Sequence, residues 1–277
     1  MRKPIKATAN DNFYQLLKNR VNEIPVVRAL REFSYERRFS GECYGNFRGV
    51  FETFEEAIAS APKTKNVGYN QPDLAMEYKK DFENYKIKNY DYPALFWLKG
   101  IVEKSSVVFD FGGNIGIHYY LYSKYLNYPL NLKWLVCEVP EIKRVGEELA
   151  QQKGKTNLLF TSNFEDANNI DIFFSSGSIQ YVESLSLSLL KLNQKPKHLL
   201  INRLPLYGGK QFVTLQNGGM VYYPQYVFNR KDFIDSLCNL GYELIDVWKD
   251  REDSCVIPLH PKNSVPFYSG LYFKLGA

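Results

Sequence analysis

Val107-Val108-Phe109-Asp110-Phe111-Gly112-Gly113-Asn114-Ile115-Gly116 is the stretch around which the chain is organised. An apolar run meets an acid and then a glycine-rich turn, and the residues from Ile117 to Leu126 carry the apolar spacing of a helix. Strand, tight loop and helix start follow one another within a few residues. Such a turn leaves free backbone N–H groups above the strand, and its glycines let a ligand approach the main chain closely.

Asp110 separates the two common ligands of such a loop. A pyrophosphate gains from the positive end of a helix, and a carboxylate beside that helix end repels the phosphates. The glycine spacing agrees, because Gly-x-Gly-x-x-Gly cannot be laid over Gly112, Gly113 and Gly116 in any register. S-adenosylmethionine carries an ammonium and a sulfonium and no phosphate, so an acid at the strand end suits it.

The chain has 277 residues, enough for one large α/β domain with an appended segment. An apolar content of 45% and a charged content of 23% suit a soluble protein with a sizeable core. The net charge of +5 is scattered rather than gathered in a basic tract, which speaks against nucleic acid as a partner. Met1 to Arg20 lacks the apolar core of a signal peptide, and no run is long enough to span a membrane. Cys43, Cys137, Cys238 and Cys255 form no Cys-x-x-Cys pair, and the three histidines lie far apart. A reducing cytoplasm and no His-rich metal centre are expected, with an all-carboxylate magnesium site left open.

Residues 1–104 lack the strand–helix alternation that follows and read as a helical N-terminal segment, a lid on a catalytic domain over 105–277. Thr53-Phe54-Glu55-Glu56 has the form of a capping box, Tyr44 to Phe51 reads as an ordered loop, and Tyr92-Pro93-Ala94 opens another helix. From Ser106 the pattern is βαβ: strands near 106–111, 132–138, 157–161, 171–175 and 198–202, helices near 116–127 and 140–152, and a helical stretch through Leu192. A less regular insertion at 203–228 precedes a helix near 230–240 and strands near 242–249 and 267–275. The expected architecture is a seven-stranded, doubly wound, Rossmann-like α/β sheet.

Ligands of such sheets lie at the carboxyl ends of the strands, so the closing residues matter. Glu138 closes the second strand, where a carboxylate accepts from both hydroxyls of a ribose; without a ligand it is a surface acid. Asn163 and Phe164, after the third strand, suit an adenine edge and face, or form an ordinary polar turn. Ser175-Ser176-Gly177 closes the fourth strand, where carbonyls suit the ligand's ammonium and small side chains leave room for a methyl group.

Asp110 to Gly116 resembles the first motif of class I S-adenosylmethionine-dependent methyltransferases, with Asn114 in place of the central glycine. Glu138-Val139-Pro140-Glu141-Ile142 is similar to the Asp-Leu-Pro-x-Val segment of small-molecule O-methyltransferases, and Ser162-Asn163-Phe164 to their Gly-Asp-Met/Phe turn. The resemblance covers about 105–275. Residues 112–120, 175–182, 200–206 and 268–274, with Gly49-Val50-Phe51 and Phe54-Glu55-Glu56-Ala57, also resemble bacterial methyltransferases associated with surface-polysaccharide gene clusters. That resemblance implies methylation of a sugar or a phosphoryl-containing capsule or lipopolysaccharide precursor, with S-adenosylhomocysteine as product.

A sugar hydroxyl is a poor nucleophile, so a general base in reach would add about 10²–10⁴-fold. His118, two residues beyond the glycine loop, is the first candidate, His260 the second, and His198 is expected to pack within its strand. Gln180, Tyr181, Asn202 and Arg203 belong on the acceptor side, where Arg203 suits a phosphate or carboxylate. Tyr207, Gln216 and Tyr226 are candidates for a lid. The alternatives are a non-catalytic S-adenosylmethionine-binding scaffold in a polysaccharide-assembly complex and, more distantly, a nicotinamide oxidoreductase.

Overall fold

The computed structural model describes residues 25–41 and 44–276; Cys43 lies outside them. Helices α1 (Pro25–Phe39), α2 (Phe54–Ala59), α3 (Pro72–Lys80) and α4 (Asp91–Ile101) precede the main sheet, together with strands β1 (Asn46–Phe51) and β2 (Asn66–Val67). Then come β3 (Val107–Phe111), α5 (Ile117–Tyr122), β4 (Lys133–Cys137), α6 (Pro140–Gln152), β5 (Leu158–Thr161), β6 (Ile172–Ser176), α7 (Leu185–Leu190) and β7 (His198–Leu204). The chain continues through β8 (Leu206–Tyr207), β9 (Phe212–Asn217), β10 (Val221–Asn229), α8 (Arg230–Cys238), β11 (Tyr242–Asp250) and β12 (Tyr268–Leu275).

The seven strands of the main sheet run in the order β11-β12-β7-β6-β3-β4-β5. The five from β7 to β5 are mutually parallel; at one edge β12 runs antiparallel to them, and β11, antiparallel to β12, runs in their direction again. Strand pleating sorts β3 onto two cores. Phe109 joins Phe173, Leu199, Leu271 and Phe273 against α7 and α8, whereas Val108 joins Trp134, Ile172 and Phe174 against α4 and α5. Apolar residues on both faces are what a covered parallel sheet requires. The fold is the seven-stranded, doubly wound, Rossmann-like α/β architecture read from the sequence. Among the described residues no helix is long and apolar enough to cross a membrane.

Two expectations are corrected. Asn46–Phe51 is a strand, not a loop, and much of the 203–228 insertion is a hairpin of β9 and β10. Together they build a second sheet, β1-β9-β10-β2, with β8 paired beside β10. Gly49, which makes the first stretch look irregular, adopts φ +74° at the register shift between Arg48 and Phe51, and a Cβ there would lie 2.3 Å from the Phe51 ring. Pro224 sits inside β10, a position that hides a strand from sequence reading. Thr53 caps α2 as expected: its side chain accepts from the Glu56 N–H at 3.2 Å, while Glu56 accepts from Glu52 N–H at 2.9 Å.

Phe173, with no exposed surface, should be intolerant of truncation: Phe173→Ala is expected to cost about 3–5 kcal/mol in urea denaturation, and Leu187→Ala, on the exposed face of α7, to stay within about 0.5 kcal/mol. Equal costs for the two variants would contradict this packing.

Candidate functional site

The main sheet changes winding direction between β3 and β6, and a cavity of about 710 Å³ opens over their carboxyl ends. Its floor includes Gly112, Glu138, Ser176 and Arg203, and its roof comes from the second sheet and the N-terminal segment through Tyr69, Tyr78, Gln216 and Tyr223. The volume falls within the ~300–1,000 Å³ of small-molecule sites.

The glycine loop has one wall in the cavity and one in the core. Gly112 (φ +72°) and Asn114 (φ +57°) line the cavity, and both take left-handed backbone. A Cβ on Gly112 would lie 2.0 Å from Ser178 Oγ, so only glycine lets the loop close on the β6 turn. Gly113 and Gly116 are buried outside the cavity wall; a Cβ on Gly113 would lie 2.4 Å from the Asp110 carboxylate and one on Gly116 2.9 Å from Leu158.

Asp110 and His118 are not in the cavity wall, which corrects their assignment to ligand and acceptor. The strand alternation puts Asp110 on the Val108 face, under the loop, fully buried. There it accepts from Trp134 Nε1 at 3.0 Å and faces His118 Nδ1 at 3.1 Å. Burial alone would lower the His118 pKa, but the Asp110 charge and hydrogen bond more than offset it and raise it. The pair is a brace beneath the loop.

Glu138, at the end of β4, does line the cavity. Its Oε1 accepts from Asn114 N–H at 3.0 Å and its Oε2 from Val139 N–H at 3.1 Å, so the carboxylate is fixed against the glycine loop. Burial pushes it up to about 7, against the pull of those two N–H groups. Ser162 and Phe164 also line the cavity. Asn163 does not: its side chain caps the following turn by accepting from Glu165 N–H at 3.1 Å. Ser175 is likewise turned away, donating to the Phe111 carbonyl at 2.9 Å, and its neighbour Ser176 takes the wall position.

Across the switch point, Gln180, Tyr181 and Arg203 line the cavity. Arg203 Nε donates to Asp253 at 2.6 Å, its guanidinium lies 4.5 Å from the centre of the Tyr90 ring, and its φ of +58° is strained for a non-glycine residue. Asn202, also expected there, is buried and donates to the Tyr90 carbonyl. Of the lid candidates Gln216 is in the wall, whereas Tyr226 stacks on Phe54 at 4.4 Å and Tyr207 donates to the Lys210 carbonyl. His198 packs within the sheet, 2.9 Å from the Tyr272 hydroxyl, and His260 is outside the cavity wall.

Sequence reading named Gln216 but not the roof tyrosines Tyr69, Tyr78 and Tyr223, nor the acids Glu252 and Asp253. Tyr69 stacks on Tyr223 at 4.2 Å and donates to the Tyr181 hydroxyl at 2.7 Å. Glu252 and Asp253 enter from the loop after β11, anchored by Asp250, whose Oδ1 accepts from Glu252 N–H at 2.8 Å. Burial, helped by the neighbouring Asp253 charge, holds Asp250 above the usual carboxylate range. Among the described residues no cluster of His, Cys, Asp and Glu could hold a metal ion.

No family model and no curated protein matches the chain. Among solved structures it is similar to an S-adenosylmethionine-dependent methyltransferase from Aquifex aeolicus, at 15% identity and TM-score 0.48 over 74% of this chain and 99% of that one. It is also similar to 1,6-didemethyltoxoflavin-N1-methyltransferase from Burkholderia thailandensis, with its substrate and S-adenosylhomocysteine bound, at 13% identity and TM-score 0.46 over 76% and 92%. A third is magnesium protoporphyrin IX methyltransferase from Synechocystis with S-adenosylmethionine bound, at 10% identity and TM-score 0.45 over 76% and 87%. Likenesses this distant assign no role to any residue of this chain.

The His118–Asp110 brace has a testable sign. Because the folded pKa of His118 is raised, its contribution is complete below the ordinary value of about 6.5 and is lost as pH rises through the folded value. His118→Gln is therefore expected to lose more stability at pH 6 than at pH 9 in urea titrations, and a pH-independent loss would contradict the ion pair.

Proposed function

We propose that the chain is an S-adenosylmethionine-dependent methyltransferase acting on a hydroxyl of a sugar-type or phosphoryl-containing precursor of a bacterial capsule or lipopolysaccharide, in the cytoplasm. The observation that carries the donor half is Glu138, held by two backbone N–H groups at a strand end beside the glycine loop, with Phe164 on the next strand's turn. A carboxylate fixed in this way suits two vicinal hydroxyls, and the aromatic face suits a purine. The acceptor identity rests on the sequence resemblance.

The residues present fit the donor. Gly112 and Asn114 bring main chain to the cavity, Glu138 would hold the ribose, and Phe164 would lie against the adenine. S-adenosylmethionine supplies an electrophilic methyl group on a sulfonium. Main-chain carbonyls around Ser176 and Gly177, both in the cavity wall, would take the ammonium end, and the small side chains there leave room on the acceptor side. The roof residues Tyr69 and Tyr223, with Tyr181 hydrogen-bonded to Tyr69, would shield the acceptor from water and hold it in line, the orientation from which most of such a rate enhancement comes.

Calorimetry with S-adenosylhomocysteine tests this reading. Binding is expected, with Glu138→Ala weakening it by about 100-fold or more, and no binding to the wild type would overturn it. Since Glu138 titrates at about 7 and only the carboxylate accepts from both hydroxyls, affinity should fall as pH drops from 8 to 6. Glu138→Gln should bind weakly and without that dependence.

A further inference from the structure

Resting on that methyl-transfer reading, we propose that the acceptor is an uncharged polyhydroxylated sugar rather than a phosphorylated one, and that Asp253 receives the proton of the hydroxyl being methylated.

The charge of the wall beyond the glycine loop is the first ground. It presents one cation, Arg203, and two carboxylates, Glu252 and Asp253, and among the described residues no lysine joins it. Arg203 is itself engaged: Asp253 takes its Nε–H at 2.6 Å and Tyr90 covers its face at 4.5 Å. The side chain suited to clasping a phosphate is thus held against an acid of the same wall, and a phosphoryl dianion here would face both carboxylates.

Hydrogen-bond type is the second, independent ground. Gln180 is only 4% exposed and lines the same cavity. Its Nε2 donates to the Gly177 carbonyl at 2.9 Å, while its Oε1 has no partner among the described residues. A buried carbonyl without a donor calls for a ligand that brings one. Gln180 Oε1 and Asp253 are acceptors, as is Glu252, whose Oε1 also takes the Asn89 N–H at 3.1 Å, so this side of the wall suits hydroxyl donors, which an ionised phosphate group lacks. The stacked Tyr69 and Tyr223 rings add a flat apolar wall for the C–H face of a sugar.

With His118 turned into the core, the base must come from the wall, and Asp253 is the partly buried carboxylate there whose orientation a neighbour fixes. In the transfer the hydroxyl oxygen forms a bond to the methyl carbon, and the carbon–sulfur bond breaks with its electron pair remaining on sulfur. The hydroxyl proton passes to Asp253.

Two measurements on the full chain decide the matter. Protein saturated with S-adenosylhomocysteine is titrated by calorimetry with a panel of methyl hexopyranosides and with the corresponding hexose 1-phosphates. The donor is then supplied and methyl transfer to both sets is measured for wild type and Asp253→Asn. Neutral glycosides are expected to bind about tenfold or more tightly than their phosphates. Asp253→Asn is expected to lower kcat by about 100-fold with KM within about threefold and S-adenosylhomocysteine affinity intact. Preference for the phosphates, absence of binding by every neutral glycoside, or an unchanged kcat in Asp253→Asn would overturn the proposal. Failure of S-adenosylhomocysteine itself to bind would instead overturn the methyltransferase reading.

Discussion

A carboxylate with no exposed surface must be partnered, and the way Asp110 is partnered sets the shape of everything above it. It lies near the end of β3, between the Trp134 indole and the His118 ring, directly under Gly113. Any side chain at position 113 would strike it, and the loop can therefore fold back over the acid only as glycine. The same fold-back brings Asn114 N–H within 3.0 Å of Glu138, which aims the second acid at the cavity. One buried acid and one cavity acid thus act as a unit: the first holds the loop, and the loop holds the second. A charged residue outside the cavity wall thus shapes the loop that forms it.

The other half of the site comes from parts of the chain that lie far from that loop. Strand β1 pairs with β9 across more than 160 residues of sequence, as in Phe47 against Gln216. The resulting sheet brings Gln216 and Tyr223 over the carboxyl ends of β6 and β7. The N-terminal segment is tied to it through Tyr69 on Tyr223 and through Asn217, which donates to the carbonyls of Phe39 and Gly41. The two halves of the cavity are therefore built by different layers, the parallel sheet on one side and the roof with the loop after β11 on the other; under the proposed function the first would take the methyl donor and the second the acceptor.

The parallel core was legible because its signals are local: apolar runs, Pro140 at a helix start, Gly112 in a turn. Glu138, Gln180 and Arg203 followed from strand ends alone. Asp110 was misread although the information was present, since period-two alternation from Val108 already directs it toward the helix that carries His118. Asn163 was misread because a cap and a base-reading amide look alike in sequence. The second sheet was not legible at all. Its strands contain Gly49 and Pro224, which a local reading scores as breakers, and their pairing is long-range. Asp253, in a loop between antiparallel strands, carried no signal until the fold brought it beside Arg203.

The central claim is that the loop and Glu138 together form a nucleoside site. Its most direct measurement is a crystal structure of the protein with S-adenosylhomocysteine. Both ribose hydroxyls within hydrogen-bond reach of Glu138, the adenine against Phe164 and the sulfur turned toward Gly177 are the predicted arrangement. A ribose held elsewhere, or a ligand whose contacts avoid Gly112 and Asn114, would contradict it.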